Sequence, residues 1–132
     1  MQIIMKNFAK VLVAIVVTMV ISFSGYAQEG YSECVDKKRS AWGEECSQCP
    51  IYRDSYVVYL QNICLEKLDM QVAVQEEDMT WKVFTFSTVA PNDSVRAYAC
   101  RGKGKYLAWA KVAGDTKTVF PTKAEVNREF KD

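Results

Sequence analysis

A chain of 132 residues with 17 Lys+Arg against 16 Asp+Glu and 49% hydrophobic residues has the size and balance of one ordinary globular domain. It contains no His, which excludes His-based general acid–base catalysis, Ser-His-Asp and Cys-His nucleophile systems, and any metal site that needs imidazole. Chemistry would have to run on Cys, Asp, Glu, Lys or Tyr, and the near-neutral charge argues against general nucleic-acid binding.

Residues 1–27 read as a secretory signal: Lys6 and Lys10, an apolar stretch Val11–Phe23, then Gly25-Tyr26-Ala27 as a small-x-small cleavage site, with the cut after Ala27. The rival reading is an uncleaved anchor, but the stretch is 13 residues and a spanning helix needs about 20. Removing these 27 of 132 residues leaves 105 and takes the net charge from +1 to −1. The expected destination is therefore secreted or periplasmic, with membrane contact only through the signal before cleavage.

All five cysteines, Cys34, Cys46, Cys49, Cys64 and Cys100, lie beyond the signal, and an exported destination permits disulfides. Five sulfurs allow two bonds and one orphan in a single chain, the orphan being buried, capped by a small thiol, or joined to a partner chain as a disulfide-linked dimer. Cys64 and Cys100 each end a strand-like run, so a Cys64–Cys100 bond is expected; its 37-residue loop would contribute about 4 kcal/mol before strain. Cys34 would then bond Cys46 or Cys49.

Residues 28–54 form a polar, Cys-rich entry. Cys34, Val35, Lys38, Ala41 and Trp42 fall at helical offsets and predict a short helix stopped by Gly43, tied to the rest by its disulfide and by Trp42. Lys37-Lys38-Arg39 is then a solvated helix face or an anion contact. Cys46-Ser47-Gln48-Cys49 has the spacing of a thiol–disulfide couple, the alternative function of this chain, but Pro50 and an extended run follow where a redox motif wants a helix. A zinc site from Cys34, Cys46, Cys49 and Cys64 lacks the second close pair that such sites show.

Residues 55–132 carry the expected β domain. Residues 55–64 alternate apolar residues on both faces, a strand covered on both sides. Leu68, Met70, Val72 and Val74 alternate with Asp69, Gln71, Ala73 and Gln75, which predicts a strand with one wet face, and an acidic turn at Glu76-Glu77-Asp78 joins it as a hairpin to 81–87. Residues 95–100 and 106–112 predict a second hairpin through Arg101-Gly102-Lys103-Gly104-Lys105. Thr122 and Glu125 match a capping box, opening a final helix of about two turns whose Val126 and Phe130 dock on the sheet. The fold class is mainly β: a small antiparallel sandwich or partly open barrel with a Cys-rich N-terminal segment and a short C-terminal helix.

Asn62-x-Cys64, Trp81, Pro91, Ala99-Cys100 and Trp109, spread over residues 55–115, resemble the layout of small uncharacterised exported β domains. The resemblance implies a bond from a Cys ending the first strand to a Cys of a later one, and implies no activity, catalytic residue or ligand.

The candidate binding residues are cationic: Arg101, Lys103 and Lys105 on the glycine-rich tip, with Arg96 and Lys111 on the flanking strands. Glycines between cations let the backbone approach an anion. The aromatic set Trp42, Trp81, Trp109, Tyr52, Tyr56, Tyr59, Tyr98 and Tyr106 suits a protein or sugar partner where exposed and a core where buried. The carboxylate runs Glu44-Glu45 and Glu76-Glu77-Asp78 read as solvated loops, and no calcium loop or cofactor motif is present. The expected function is a non-catalytic binding module for a protein or anionic glycan.

Overall fold

The computed structural model describes residues 31–45 and 47–131; the expected signal at 1–27 and Cys46 lie outside the described residues. A single 3-10 turn, Tyr31–Cys34, precedes six strands: β1 (Val35–Trp42), β2 (Tyr56–Asn62), β3 (Leu68–Glu76), β4 (Trp81–Val89), β5 (Ser94–Ala99) and β6 (Gly102–Val112). One helix, α1 (Lys123–Glu129), closes the described chain. Sheet I has the order β1-β2-β5 and sheet II the order β4-β3-β6, all neighbours antiparallel. This is the expected mainly β sandwich with a short C-terminal helix.

The core lies between the sheets because each strand points every second side chain inward. Tyr56, Val58 and Leu60 of β2 and Ala97 and Ala99 of β5 meet Leu68, Met70, Val72 and Val74 of β3, with Phe84, Phe86 and Tyr106 packed against them. A second, smaller cluster lies on the far side of sheet II, where Val126 of α1 covers Ala73 and Trp81. The capping box forms as expected: the Thr122 side chain accepts from the Glu125 N–H, and the Glu125 carboxylate accepts from the Thr122 N–H. Asn127 then pins the helix to β4, its Oδ1 accepting from the Trp81 N–H at 2.7 Å and its Nδ2 donating to the Trp81 carbonyl at 3.3 Å.

Four expectations are corrected. The helix expected around 34–42 is strand β1: an edge strand with charged residues at Asp36 to Arg39 gives no clean alternation, and a bulge between Lys37 and Arg39 shifts the period further. The Lys37-Lys38-Arg39 run thus lies on a sheet edge, where charge and a bulge discourage pairing with another chain. The wet face of β3 is dry, because α1 and the segment before it cover that face; Gln71 is buried and its Nε2 donates to the Pro121 carbonyl at 2.6 Å.

The second hairpin does not form. β5 pairs with β2 and β6 pairs with β3, so Cys100 and Arg101 carry the chain from one sheet to the other. The glycines answer close approach within β6: a Cβ on Gly102 would stand 2.4 Å from the Tyr56 Cβ, and Gly104, at φ +83°, faces the Trp42 ring.

The disulfides are Cys34–Cys64 and Cys49–Cys100, in place of Cys64–Cys100. The reason is topological. Cys64 follows β2 at the end where β1 begins, since Val35 is in register with Asn62, while Cys100 follows β5 at the opposite end, where Tyr56 faces Ala99. Cys34 and Cys49 each take the partner at their own end of sheet I.

Candidate functional site

A groove of about 460 Å³ runs between β6 and the end of the C-terminal helix, lined by Trp81, Gly104, Lys105, Tyr106, Leu107, Glu129, Phe130 and Lys131. One wall is β6, placed by its pairing of Leu107 with Ala73 and Tyr106 with Val74 of β3. The other wall is set by the capping box and by Asn127. Trp81 is almost fully buried and its indole N–H donates to the Phe130 carbonyl, fixing the chain after α1. Phe130 meets Trp109 edge-on at 6.1 Å between centroids. Burial first, then Tyr56 and Asp36, holds the Tyr106 phenol above its ordinary value, so it is a neutral hydroxyl at physiological pH. The groove therefore offers apolar and aromatic walls with two ammonium groups, Lys105 and Lys131, and one carboxylate, Glu129. Apolar and cationic groups thus face one open groove.

Of the five expected binding cations, Lys105 stands in this groove and Lys103 lies two residues before it, exposed on β6. The other three are elsewhere. Arg101 borders a hollow with Glu76, Glu77 and Asp78, where Asp78 is held below its ordinary value mainly by the Thr80 hydroxyl. Lys111 lies eight residues beyond Lys103, roughly 26 Å along an extended strand, and its Nζ donates to the Thr118 carbonyl at 2.9 Å while lying 4.8 Å from the Phe120 ring centroid. It holds the segment that leads to α1. Arg96 is on the outer face of sheet I.

That outer face has its own arrangement. Arg39 of β1, Tyr59 of β2 and Arg96 of β5 are in register across the three strands. The Arg39 guanidinium lies 4.0 Å from the Tyr59 ring centroid, and Arg96 lies 5.3 Å from that of Tyr98. The Lys82 ammonium sits 4.2 Å from the Tyr98 centroid. The Tyr59 hydroxyl donates to Glu44 Oε1, and Arg39 Nη1 donates to Glu44 Oε2 at 3.2 Å. The Tyr59 hydroxyl, then the Arg39 contact and charge and the Arg96 charge, hold the Glu44 carboxyl below its ordinary value, burial opposing them. The sequence offers Arg39 and Arg96 only separately, as part of an anion-contact run and as a binding cation, because residues 39, 59 and 96 meet through strand register and Glu44 joins them from the loop after Gly43.

The aromatic set does not form one flat row. Trp81 and Tyr56 are core, Trp109 and Tyr106 are half-buried, and Trp42 and Tyr52 are exposed. Trp42 anchors the N-terminal stretch as expected, 5.1 Å from the Tyr56 ring. Cys49 pairs with Cys100, so the vicinal couple of the CSQC segment is not the bond formed, and the same pairing takes Cys34, Cys49 and Cys64 out of the four-Cys zinc arrangement. Among the described residues no helix is long and apolar enough to cross a membrane. No family model, curated protein or solved structure matches the chain.

Proposed function

We propose that this chain is a non-catalytic binding module of an oxidising compartment, secreted or periplasmic, that takes an anionic group of a macromolecular partner, protein or glycan, in the groove beside Lys105. The observation that supports it is the groove itself: a concave site walled by Trp81, Leu107 and Phe130, with Lys105 and Lys131 as cations. Two disulfides fit the compartment, and they hold a small sandwich rigid enough to present a preformed site.

Titration with a sulfated heparin oligosaccharide and with an acidic aromatic peptide, followed by tryptophan fluorescence, tests this reading. Trp81 reports directly on occupancy. One probe is expected to saturate, and Lys105→Glu to weaken it by roughly tenfold, the effect of losing about 1.4 kcal/mol. Failure of both probes to bind, or an unchanged affinity in Lys105→Glu, overturns it.

A further inference from the structure

The outer face of sheet I carries an anion cradle that the chain fills with its own carboxylate. Arg39, Tyr59 and Arg96 come from three adjacent strands in register, which puts the two arginine backbones roughly 10 Å apart with the tyrosine between them. The Arg39 guanidinium lies over the Tyr59 ring, 4.0 Å from its centroid, a cation–π contact that restrains its fork of donors. The carboxylate that occupies the cradle belongs to Glu44, whose two oxygens accept from Tyr59 and Arg39.

Glu44 reaches the cradle from an irregular segment. Gly43, at φ +70°, turns the chain after β1, and the Glu44 carbonyl accepts from the Ser55 hydroxyl at 3.2 Å. The internal occupant is thus a glutamate side chain delivered by non-helical peptide laid over a sheet. Its contact is accessible: the Arg39 and Glu44 side chains are 56% and 28% exposed. A pair this open contributes little to stability, so an external carboxylate with the same geometry displaces it at small cost.

Charge gives the sign of the ligand. Lys37, Lys38 and Arg39 are exposed on β1, against Asp36 on the same strand; Arg96 lies on β5, and Lys82 of β4 reaches to 4.2 Å from the ring centroid of Tyr98 on that same strand β5. Sheet II's outer face is covered by α1, whereas sheet I's has no helix over it among the described residues.

We propose that Arg39, Tyr59 and Arg96 form a binding site for a side-chain carboxylate on an acidic, extended segment of a partner protein, and that Glu44 occupies it as an internal mimic of that segment. The depressed pKa of Glu44 agrees, since it shows that the cradle favours the ionised form. The site is separate from the Lys105 groove, which lies on the other sheet, and its success or failure does not depend on the groove.

The probe is a glutamate-rich peptide, with a glutamine peptide of equal length as control, measured by calorimetry at about 0.15 M ionic strength on the full disulfide-bonded protein. Glu44→Ala is expected to tighten the glutamate peptide by roughly threefold, because the competent open state no longer competes with an exposed internal ion pair. Glu45→Ala removes the same charge one residue away, without the hydrogen bonds that Tyr59 and Arg39 give to Glu44, and is expected to change affinity by less than about twofold once salt screens the exposed charge. Adding Arg39→Ala to Glu44→Ala should abolish the gain, and Lys105→Glu should leave it intact.

Equal gains in the two glutamate variants would reduce the effect to general charge and overturn the proposal. So would no gain in Glu44→Ala, or a gain seen with a heparin oligosaccharide and not with the peptide. A measurement that needs no variant is the NMR signal of the Arg39 and Arg96 Nε–H groups in the unaltered protein. Both should shift on saturation with the glutamate peptide, and unmoved signals would overturn the assignment.

Discussion

Asn62 is fully buried, yet its side chain is fully used: Nδ2 donates to the carbonyls of Glu66 at 2.8 Å and Val89 at 3.1 Å, and Oδ1 accepts from the Cys64 N–H at 2.9 Å. One amide thus fixes the exit of β2, the end of β4 and the backbone of a bonded cysteine, which gives the Asn62-x-Cys64 spacing a structural reason. Glu44 lies in the loop between β1 and β2, and its carboxylate ties that loop to Tyr59 and Arg39. Its carboxyl is lowered from the ordinary 4.5, so its contribution to stability is complete above that value and is lost as pH falls through the folded value. The melting temperature of the wild type should therefore exceed that of Glu44→Ala at neutral pH by a small margin, since the contact is largely exposed, and the gap should close as the pH is taken below 4.5. Asp78 and Asp115 shift in the same direction but are common to both proteins and cancel. A gap that stays constant with pH would mean that the carboxylate is not what holds the loop.

At the scale of elements, strands of strong period were legible and contacts between distant segments were not. β2, β3, β4 and the capped helix all stand where apolar alternation and the Thr122/Glu125 pair put them. β1 does not read as a strand because a charged edge strand interrupted by a bulge carries no period of two, and four of its residues together with Cys34 happen to match helical offsets. The dry side of β3 was invisible because what covers Gln71 is Pro121, 50 residues away. Sequence adjacency also favoured pairing β5 with β6, but β2 and β3 each hold two neighbours, and that arrangement separates consecutive strands into different sheets. The same limits apply to the sites. Lys105 was read from composition, whereas Trp81, Phe130 and Lys131 join it only once the helix docks. A helix of seven residues is marginal alone, so its cap should be felt across sheet II. Thr122→Ala should cost about 1 kcal/mol and expose Ala73, Gln71 and Trp81. Faster amide exchange at β3 and red-shifted tryptophan emission, with β1 and β2 exchange unchanged, are the expected readouts; uniform loosening of both sheets would contradict the layered packing.

For the molecule as a whole, the disulfides decide whether a chain this small holds a preformed surface. They tie the segment before β1 to the end of β2 and the loop before β2 to the end of β5, with sequence separations of 30 and 51. Chain entropy assigns such crosslinks about 3.6 and about 4.1 kcal/mol before strain, comparable with the whole stability of many small domains. Five cysteines beyond an expected export signal pointed to crosslinking, but which sulfur meets which follows from the two ends of sheet I. Both binding proposals assume this stapled frame in an oxidising compartment. The most direct measurement is peptide mapping by mass spectrometry, without reduction, of the protein purified after expression with its own N-terminal segment. The account predicts peptides linked through Cys34–Cys64 and Cys49–Cys100, whereas Cys64–Cys100, or all thiols free, would contradict it.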